Sequence, residues 1–268
     1  LMAFRLIASL GIGGEWAAGA SMVAEVMPEN KRVTAGALLY TSAPMGLFLA
    51  TFVNLQVAGH WFRDVPELSW RYVFLFGLIP AAVAFIVRLF VREPERWQKV
   101  AQSTIPPRIA ELFSPQYRAL TLSGFMLAFV TLLAWWSSNA FIPVVATGLA
   151  QTAAKAQGLD KSATLGLVEH WKFVATCCFN LGGLLGTLLT IPAAKYLGRK
   201  PMFAIYYAVS AASILVTFGL DLPAEIRLYM YFIIGLSVFG VFGSFTYYLP
   251  ELFPTRLRGT GTGFCYNI

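Results

Sequence analysis

Charge is scarce in this sequence. Asp, Glu, Lys and Arg together make up only 12% of its 268 residues, against about 25% in a soluble domain. Histidine is limited to His60 and His170, and cysteine to Cys177, Cys178 and Cys265. The cysteines lie inside apolar runs. Cys177 and Cys178, adjacent in the chain, are poorly placed to bridge each other, and no metal-ligand spacing occurs. A disulfide scaffold, a metal centre and a redox pair are therefore set aside. No nucleophile, acid/base group or metal set is clustered, so we expect no enzyme, no catalytic residue and no cofactor. What is abundant is apolar surface: 57% hydrophobic residues, 22 of them Phe, with a mean hydropathy of +0.66. No soluble core of this length hides so much. The chain reads as an all-α, multi-pass membrane protein, because backbone polar groups in lipid must be satisfied within each span.

Hydropathy marks seven spans, at about 3–25, 35–58, 71–91, 119–147, 171–194, 201–220 and 227–249, with an eighth starting near 260. The connections alternate in charge. Those after spans one, three, five and seven hold thirteen basic residues against six acids, and the others balance at six and six. The net charge of +7 thus sits on one face. Basic loops stay cytoplasmic, so that face is expected inside a cytoplasmic membrane. The basic balance reflects topology, and no nucleic-acid partner is needed to explain it.

The longest connection, about 92–118, contains Pro106-Pro107 and a charge cluster and divides the chain. We expect a first bundle over 1–100, a central loop over 101–118 and a second bundle over 119–268. Ile109, Leu112 and Phe113 recur at helical spacing, which fits either a short helix on the membrane face or a plain loop with an apolar anchor.

The opening span is the most informative. It carries Arg5, Glu15 and Glu25, with Glu15 near its middle and roughly 15 Å from Arg5 along a helix axis. An ion at bilayer centre costs about 2.5–3.5 kcal/mol even on insertion scales, which implies a partner, a wet cavity or a task. The glycines at 11, 13, 14 and 19 let a neighbouring helix approach. The second pattern is a repeat. Ala24-Glu-Val-Met-Pro-Glu-Asn-Lys-Arg-Val-Thr34 aligns with Pro250-Glu-Leu-Phe-Pro-Thr-Arg-Leu-Arg-Gly-Thr260, placing Glu25 on Glu251, Pro28 on Pro254, Arg32 on Arg258 and Thr34 on Thr260. Six spans lie within that offset, the plan of parallel six-helix repeats.

With Arg5…Gly11-x-Gly-Gly-Glu15-Trp16, Glu25…Arg32, Arg92-Glu-Pro-Glu-Arg-Trp97, Gly198-Arg-Lys200 and Pro250-Glu-Leu-Phe-Pro-Thr-Arg-Leu-Arg258 in this order, the chain resembles the major facilitator superfamily. The sugar-porter and metabolite–proton symporter branches are the most similar. The resemblance runs from the fourth helix of twelve into the eleventh, so we expect a piece of that fold with about seven membrane helices and the start of another. Two matches are imperfect. Lys195-Tyr196 stand where the loop between the eighth and ninth helices usually has Asp-Arg, and Gly36…Ala43-Pro-Met-Gly46 fits the antiporter motif poorly, which favours symport or uniport.

The resemblance implies a monomeric secondary carrier for a small polar solute, a sugar or organic acid, working by alternating access with a proton as coupling ion. A non-transporting sensor on the same fold and a proton-coupled exporter are the alternatives. Arg5 would pair with an aspartate of a first helix and act in proton coupling, or else snorkel at a helix end. Glu15 would carry the coupled proton, hydrogen-bond a solute hydroxyl, or form a structural ion pair. Glu25, Arg32, Arg199, Glu251 and Arg258 would form the cytoplasmic gate, or be solvated positive-inside charge. Trp135, Trp136 and Asn139 offer stacking faces and hydrogen-bonding groups for solute, with Asn180, Thr246 and Tyr247 as further candidates. Pro44, Pro80, Pro143 and Pro192 are expected to kink helices, and Gly182 with Gly186 to form a close-packing pair.

Overall fold

The computed structural model describes residues 2–57, 61–62, 65–90, 95, 98 and 106–268. These are helical nearly throughout: α1 (Met2–Val26), α2 (Glu29–Tyr40), α3 (Ser42–Gln56), α4 (Pro66–Phe76), α5 (Leu78–Phe90), a 3-10 turn (Ile109–Phe113), α6 (Arg118–Ala156), α7 (Lys161–Pro192), α8 (Arg199–Gly219), α9 (Ala224–Ile234), α10 (Phe242–Glu251) and α11 (Thr255–Asn267). Among the described residues, six stretches are long and apolar enough to cross a membrane: Glu29–Asn54, Glu67–Phe90, Arg118–Ala156, Lys161–Leu197, Arg199–Gly219 and Ala224–Glu251. The expected first span is helical too, as α1, but is not among those six.

Three of the spans are helix pairs, and proline explains two of the joints. Proline has no N–H for the carbonyl four residues back and crowds it. Pro44 therefore ends α2 at Tyr40, leaving Thr41 as the joint. Pro80 ends α4 at Phe76, leaving Gly77. Pro143 lies inside an unbroken α6, and Pro192 ends α7, where a π turn, Ala193–Leu197, follows. A second π turn, Gly235–Phe239, joins α9 to α10.

The expected loop between spans four and five is a correction. α6 runs to Ala156 and α7 begins at Lys161, turning at Gly158 with φ of +65°, in the region that favours glycine. Hydropathy stopped short because the helix ends are polar. At ~1.5 Å per residue a 39-residue helix far outruns the ~30 Å apolar core of a bilayer.

Glycine sets the closest packing. A Cβ on Gly182 would meet the Phe232 carbonyl, one on Gly186 the Leu236 carbonyl, and one on Gly235 the Phe179 carbonyl. α7 thus lies against α9 and its π turn, backbone to backbone and parallel, and the expected Gly182–Gly186 pair is observed. Another seam joins α1 to α11. Gly13 O accepts from Asn267 Nδ2 at 2.9 Å, Trp16 stacks on Tyr266 at 3.6 Å, and a Cβ on Gly263 would lie 3.3 Å from that of Ala17. Falling numbers on one helix meet rising numbers on the other, so the two are antiparallel. α2 closes on α10 where Gly36 faces Thr246 and Tyr247, leaving no slack for a side chain. The first two helices are therefore docked onto the last two.

Candidate functional site

Glu15 opens onto a cavity of 280 Å³ between α1, the α2–α3 joint and α10, lined by Glu15, Trp16, Gly19, Leu39, Tyr40, Ser42, Ala43 and Thr246. The break before Pro44 makes part of this wall. The hydroxyls of Thr41 and Ser42 donate to the Leu38 and Leu39 carbonyls at 2.6 and 2.7 Å, turning local polar groups inward on the backbone. Thr246 donates to the Gly243 carbonyl at 2.7 Å.

Behind the cavity lies an aromatic cluster. The Trp16–Tyr266 stack touches Phe242 and Phe245, Tyr40 stacks on Phe242 at 6.0 Å, and Trp135 meets Phe239 and Phe242 edge-on. Phe239 ends the π turn before α10, and Phe242 opens that helix. Of the six residues expected to bind solute, Thr246 lines the cavity and Trp135 joins the aromatic cluster, its indole Nε1 buried without a partner. Asn180 is buried on α7 with its Oδ1 unpartnered. Tyr247 is buried beneath the Arg199 guanidinium, 5.9 Å from its ring centre. Asn139 is half-buried, and Trp136 turns outward at 60% exposure. The side chain of Arg5 lies outside the described residues, as does the 92–97 motif except Glu95.

At the far end of the α1–α11 seam the expected gate residues divide into pairs. Glu25, at the end of α1, meets Arg258, at the start of α11, at 3.5 Å, with side chains only 6% and 12% exposed. Arg258 Nε also donates to the Pro250 carbonyl at 3.0 Å. Arg199 forks onto Glu251 at 3.0 and 3.3 Å. The repeat aligns Arg32 with Arg258, yet Arg32 is not paired with Glu251. It meets Glu29 at 3.5 Å and the Met27 carbonyl at 3.3 Å.

Sequence reasoning missed a further pair. Glu111, in the 3-10 turn, takes both arms of Arg256 on α11, one of them at 3.2 Å. The Arg256 hydrogen bonds, then the Arg108 backbone N–H, hold its carboxyl below the usual glutamate range. The turn itself is docked: Leu112 is fully buried, its carbonyl accepts from Thr121 at 2.9 Å, and Phe113 packs edge-on against Phe264. Trp16, Tyr40 and Tyr266 were missed as cavity and cluster residues. Trp16 follows Glu15 directly, and Tyr40 stands four residues before Pro44, which were the available signals. Among the described residues no three of His, Cys, Asp and Glu group together to hold a metal.

The chain is 28% identical, over its whole length and 58% of the relative's, to a "probable 4-methylmuconolactone transporter" of Cupriavidus pinatubonensis. It is 29% identical, over 98% of the chain and 60% of the relative, to the cis,cis-muconate transport protein of Acinetobacter baylyi. It is 25% identical, over 99% and 56%, to the gentisate transporter of Corynebacterium glutamicum. The chain thus spans about three-fifths of the length of the curated relatives it matches. No solved structure matches it. The sequence pattern of the Major Facilitator Superfamily covers residues 1–267, a family of transporters and not enzymes, and the chain belongs to it.

Proposed function

We propose that the complete protein is a monomeric secondary carrier of a small organic acid, driven by proton symport through alternating access in the cytoplasmic membrane. The Glu25–Arg258 face is the cytoplasmic one, where the basic loops gather. The observation that carries this reading is the α1–α11 seam. A cavity holding a mid-helix carboxylate lies beside it, and a buried ion pair closes its far end. Alternating access needs contacts that exist in one state only, since contacts equal in both states shift nothing. Glu25–Arg258, between residues 1–100 and residues 119–268, fits such a contact. Arg199–Glu251 braces the end of α10 beside it. The relatives' names point to organic acids over sugars. The aromatic cluster supplies flat faces of the kind an unsaturated or aromatic acid stacks on.

The test is uptake by the complete protein in proteoliposomes. Muconate or gentisate should accumulate, faster with an acidic exterior, and glucose should not. Acid uptake indifferent to the pH gradient removes the coupling. Binding without uptake replaces the carrier by a sensor, and absence of both removes the reading.

A further inference from the structure

The side chains around the cavity at Glu15 can accept hydrogen bonds but have none left to give. The hydroxyl hydrogen of Ser42 is spent on the Leu39 carbonyl, and that of Thr246 on the Gly243 carbonyl. The Tyr40 hydroxyl is engaged with that of Tyr266. The indole N–H of Trp16 is buried, out of reach of the space. An ionised Glu15 only accepts. Among the described residues, no side chain lining the cavity is cationic. Ser42 and Thr246 keep acceptor lone pairs, because a hydroxyl oxygen has two.

A solute therefore bonds to these side chains only through its own hydrogens. The carboxylate of an organic acid has none, and beside Glu15 it meets a like charge whose repulsion weakens with distance. A hydroxyl group does bring a hydrogen. The rest of the wall, with Trp16, Leu39, Tyr40 and Ala43, offers apolar faces to a ring. The volume of 280 Å³ is at the small end for a ligand cavity and suits a single ring. Ser42 owes its place on this wall to the joint at Thr41 that Pro44 imposes.

We propose that this cavity reads the hydroxyl end of a hydroxylated single-ring acid, with the Ser42 and Thr246 oxygens as specificity-determining acceptors and the solute's carboxylate turned away from Glu15. This rests on the organic-acid carrier reading above and narrows it to acids that carry a hydroxyl group. Ser42 stands on α3 and Thr246 on α10, so the acceptors come from both halves of the chain. A site built to bond a hydroxyl rejects the analogue that lacks it more strongly than a pocket rejects a changed methylene. The rival is the start of α3, whose first backbone N–H groups would hold a carboxylate instead. That arrangement would bind an acid equally well with or without a hydroxyl.

The experiment is calorimetric binding of benzoate, 4-hydroxybenzoate and 4-methoxybenzoate to the purified complete protein at one pH and ionic strength. All three carry a ring and a carboxylate, and only the second offers a hydroxyl hydrogen. Wild type should bind 4-hydroxybenzoate about tenfold tighter than the other two. In the double variant Ser42→Ala/Thr246→Val the preference should shrink to about threefold or less. Ser42→Ala alone, at an exposed position, should lower it partway. The preference is a ratio within each protein, so a loss of folded protein lowers the binding stoichiometry and leaves the ratio unmoved. Equal binding of the three acids by wild type, or an undiminished preference in both variants, overturns the acceptor reading. Tighter binding of cis,cis-muconate, which has two carboxylates and no hydroxyl, than of 4-hydroxybenzoate overturns it too. In each of these cases the carrier reading stands on the uptake of acid. If the protein neither binds nor transports any of these acids, the carrier reading falls and takes this inference with it.

Discussion

The stretch Glu67–Phe90 and the stretch Ala224–Glu251 are both long enough to span a membrane, and the first is the more apolar. Yet none of the most apolar window of Glu67–Phe90 is buried within this chain, which spans about three-fifths of its relatives' length, while 72% of that of Ala224–Glu251 is. In water the ranking would be reversed, since burial follows hydrophobicity. In lipid the apolar solvent is already present, so hydropathy reports which helix can face acyl chains. Burial follows instead from small residues that admit a neighbour's backbone. Leu78–Phe90 offers Ile, Val, Leu and Phe outward. Ala224–Glu251 brings Gly235 and Gly240 against Phe179 and Gly186 of α7, with Phe239, Phe242 and Tyr247 filling the flanks.

The largest effect expected from this contrast is at Gly186. Its absent Cβ would land on the Leu236 carbonyl and close to Gly240 Cα, both backbone atoms that cannot swing away. Gly186→Val should exceed the ~1–3 kcal/mol of ordinary overpacking and leave no monodisperse protein in detergent. Ile86→Ala on α5, 54% exposed, removes as many carbons as Gly186→Val adds and should cost about 0.5 kcal/mol or less. Size-exclusion profiles after graded heating compare the two. Equal losses would break the contrast between packed and bare helices.

A smaller effect is expected where charge enters the buried seam, at Glu25 and Arg258. Glu25→Ala leaves Arg258 buried beside the Pro250 carbonyl without its carboxylate. Breaking a buried pair in this way costs ~3–5 kcal/mol. We expect the low end, since both groups lie at a helix terminus. Arg199→Ala removes a pair about a third exposed and should cost about 1 kcal/mol or less. The readout is disulfide formation between Ala17→Cys and Gly263→Cys, whose Cβ positions nearly touch across the seam. Cross-linking should fall sharply with Glu25→Ala and little with Arg199→Ala. Undiminished cross-linking in the first variant would show that the ion pair does not hold the seam.

The sequence made helix existence plain, because spans announce themselves by hydropathy. It also made the close approach at Gly182 and Gly186 plain, because only small residues permit it. Extent and facing were not legible. The polar ends of α6 and α7 read as loop, since hydropathy measures affinity for lipid and is blind to helical hydrogen bonding. The joints at Thr41 and Gly77 were displaced one turn from the prolines that cause them, because the group a proline leaves unbonded is four residues earlier. Trp135 and Trp136 are adjacent and about 100° apart around the helix, so one turns to the aromatic cluster and its neighbour outward. Composition does not say which. The repeat placed Glu25 and Arg258 in register with Glu251 and Arg32, but register names equivalents, not partners, and Arg32 bonds to its own helix end. Glu111 entered only as one acid in a charge balance, so nothing marked it as the partner of Arg256.

That pair gives the smallest expected effect. Glu111 and Arg256 fasten the turn Ile109–Phe113 to α11 at a half-buried site, away from the α1–α11 seam. Because Arg256 holds the Glu111 carboxyl below its usual range, the bond's contribution is fully present above the ordinary glutamate value, about 4.3. It is lost only as pH falls through the lowered one. Docking of the turn should therefore be flat from pH 8 to about 5 and loosen in stronger acid. Glu111→Gln should show the loosened state already at neutral pH and no step in acid. Amide exchange over residues 106–117 measures this, against the Ala17–Gly263 seam as an internal standard that should not change. The turn should open locally and no further, since Leu112 remains buried and Thr121 still holds its carbonyl. If exchange in the variant matches wild type at every pH, the apolar anchor alone holds the turn, and the Glu111–Arg256 contact contributes nothing to its docking.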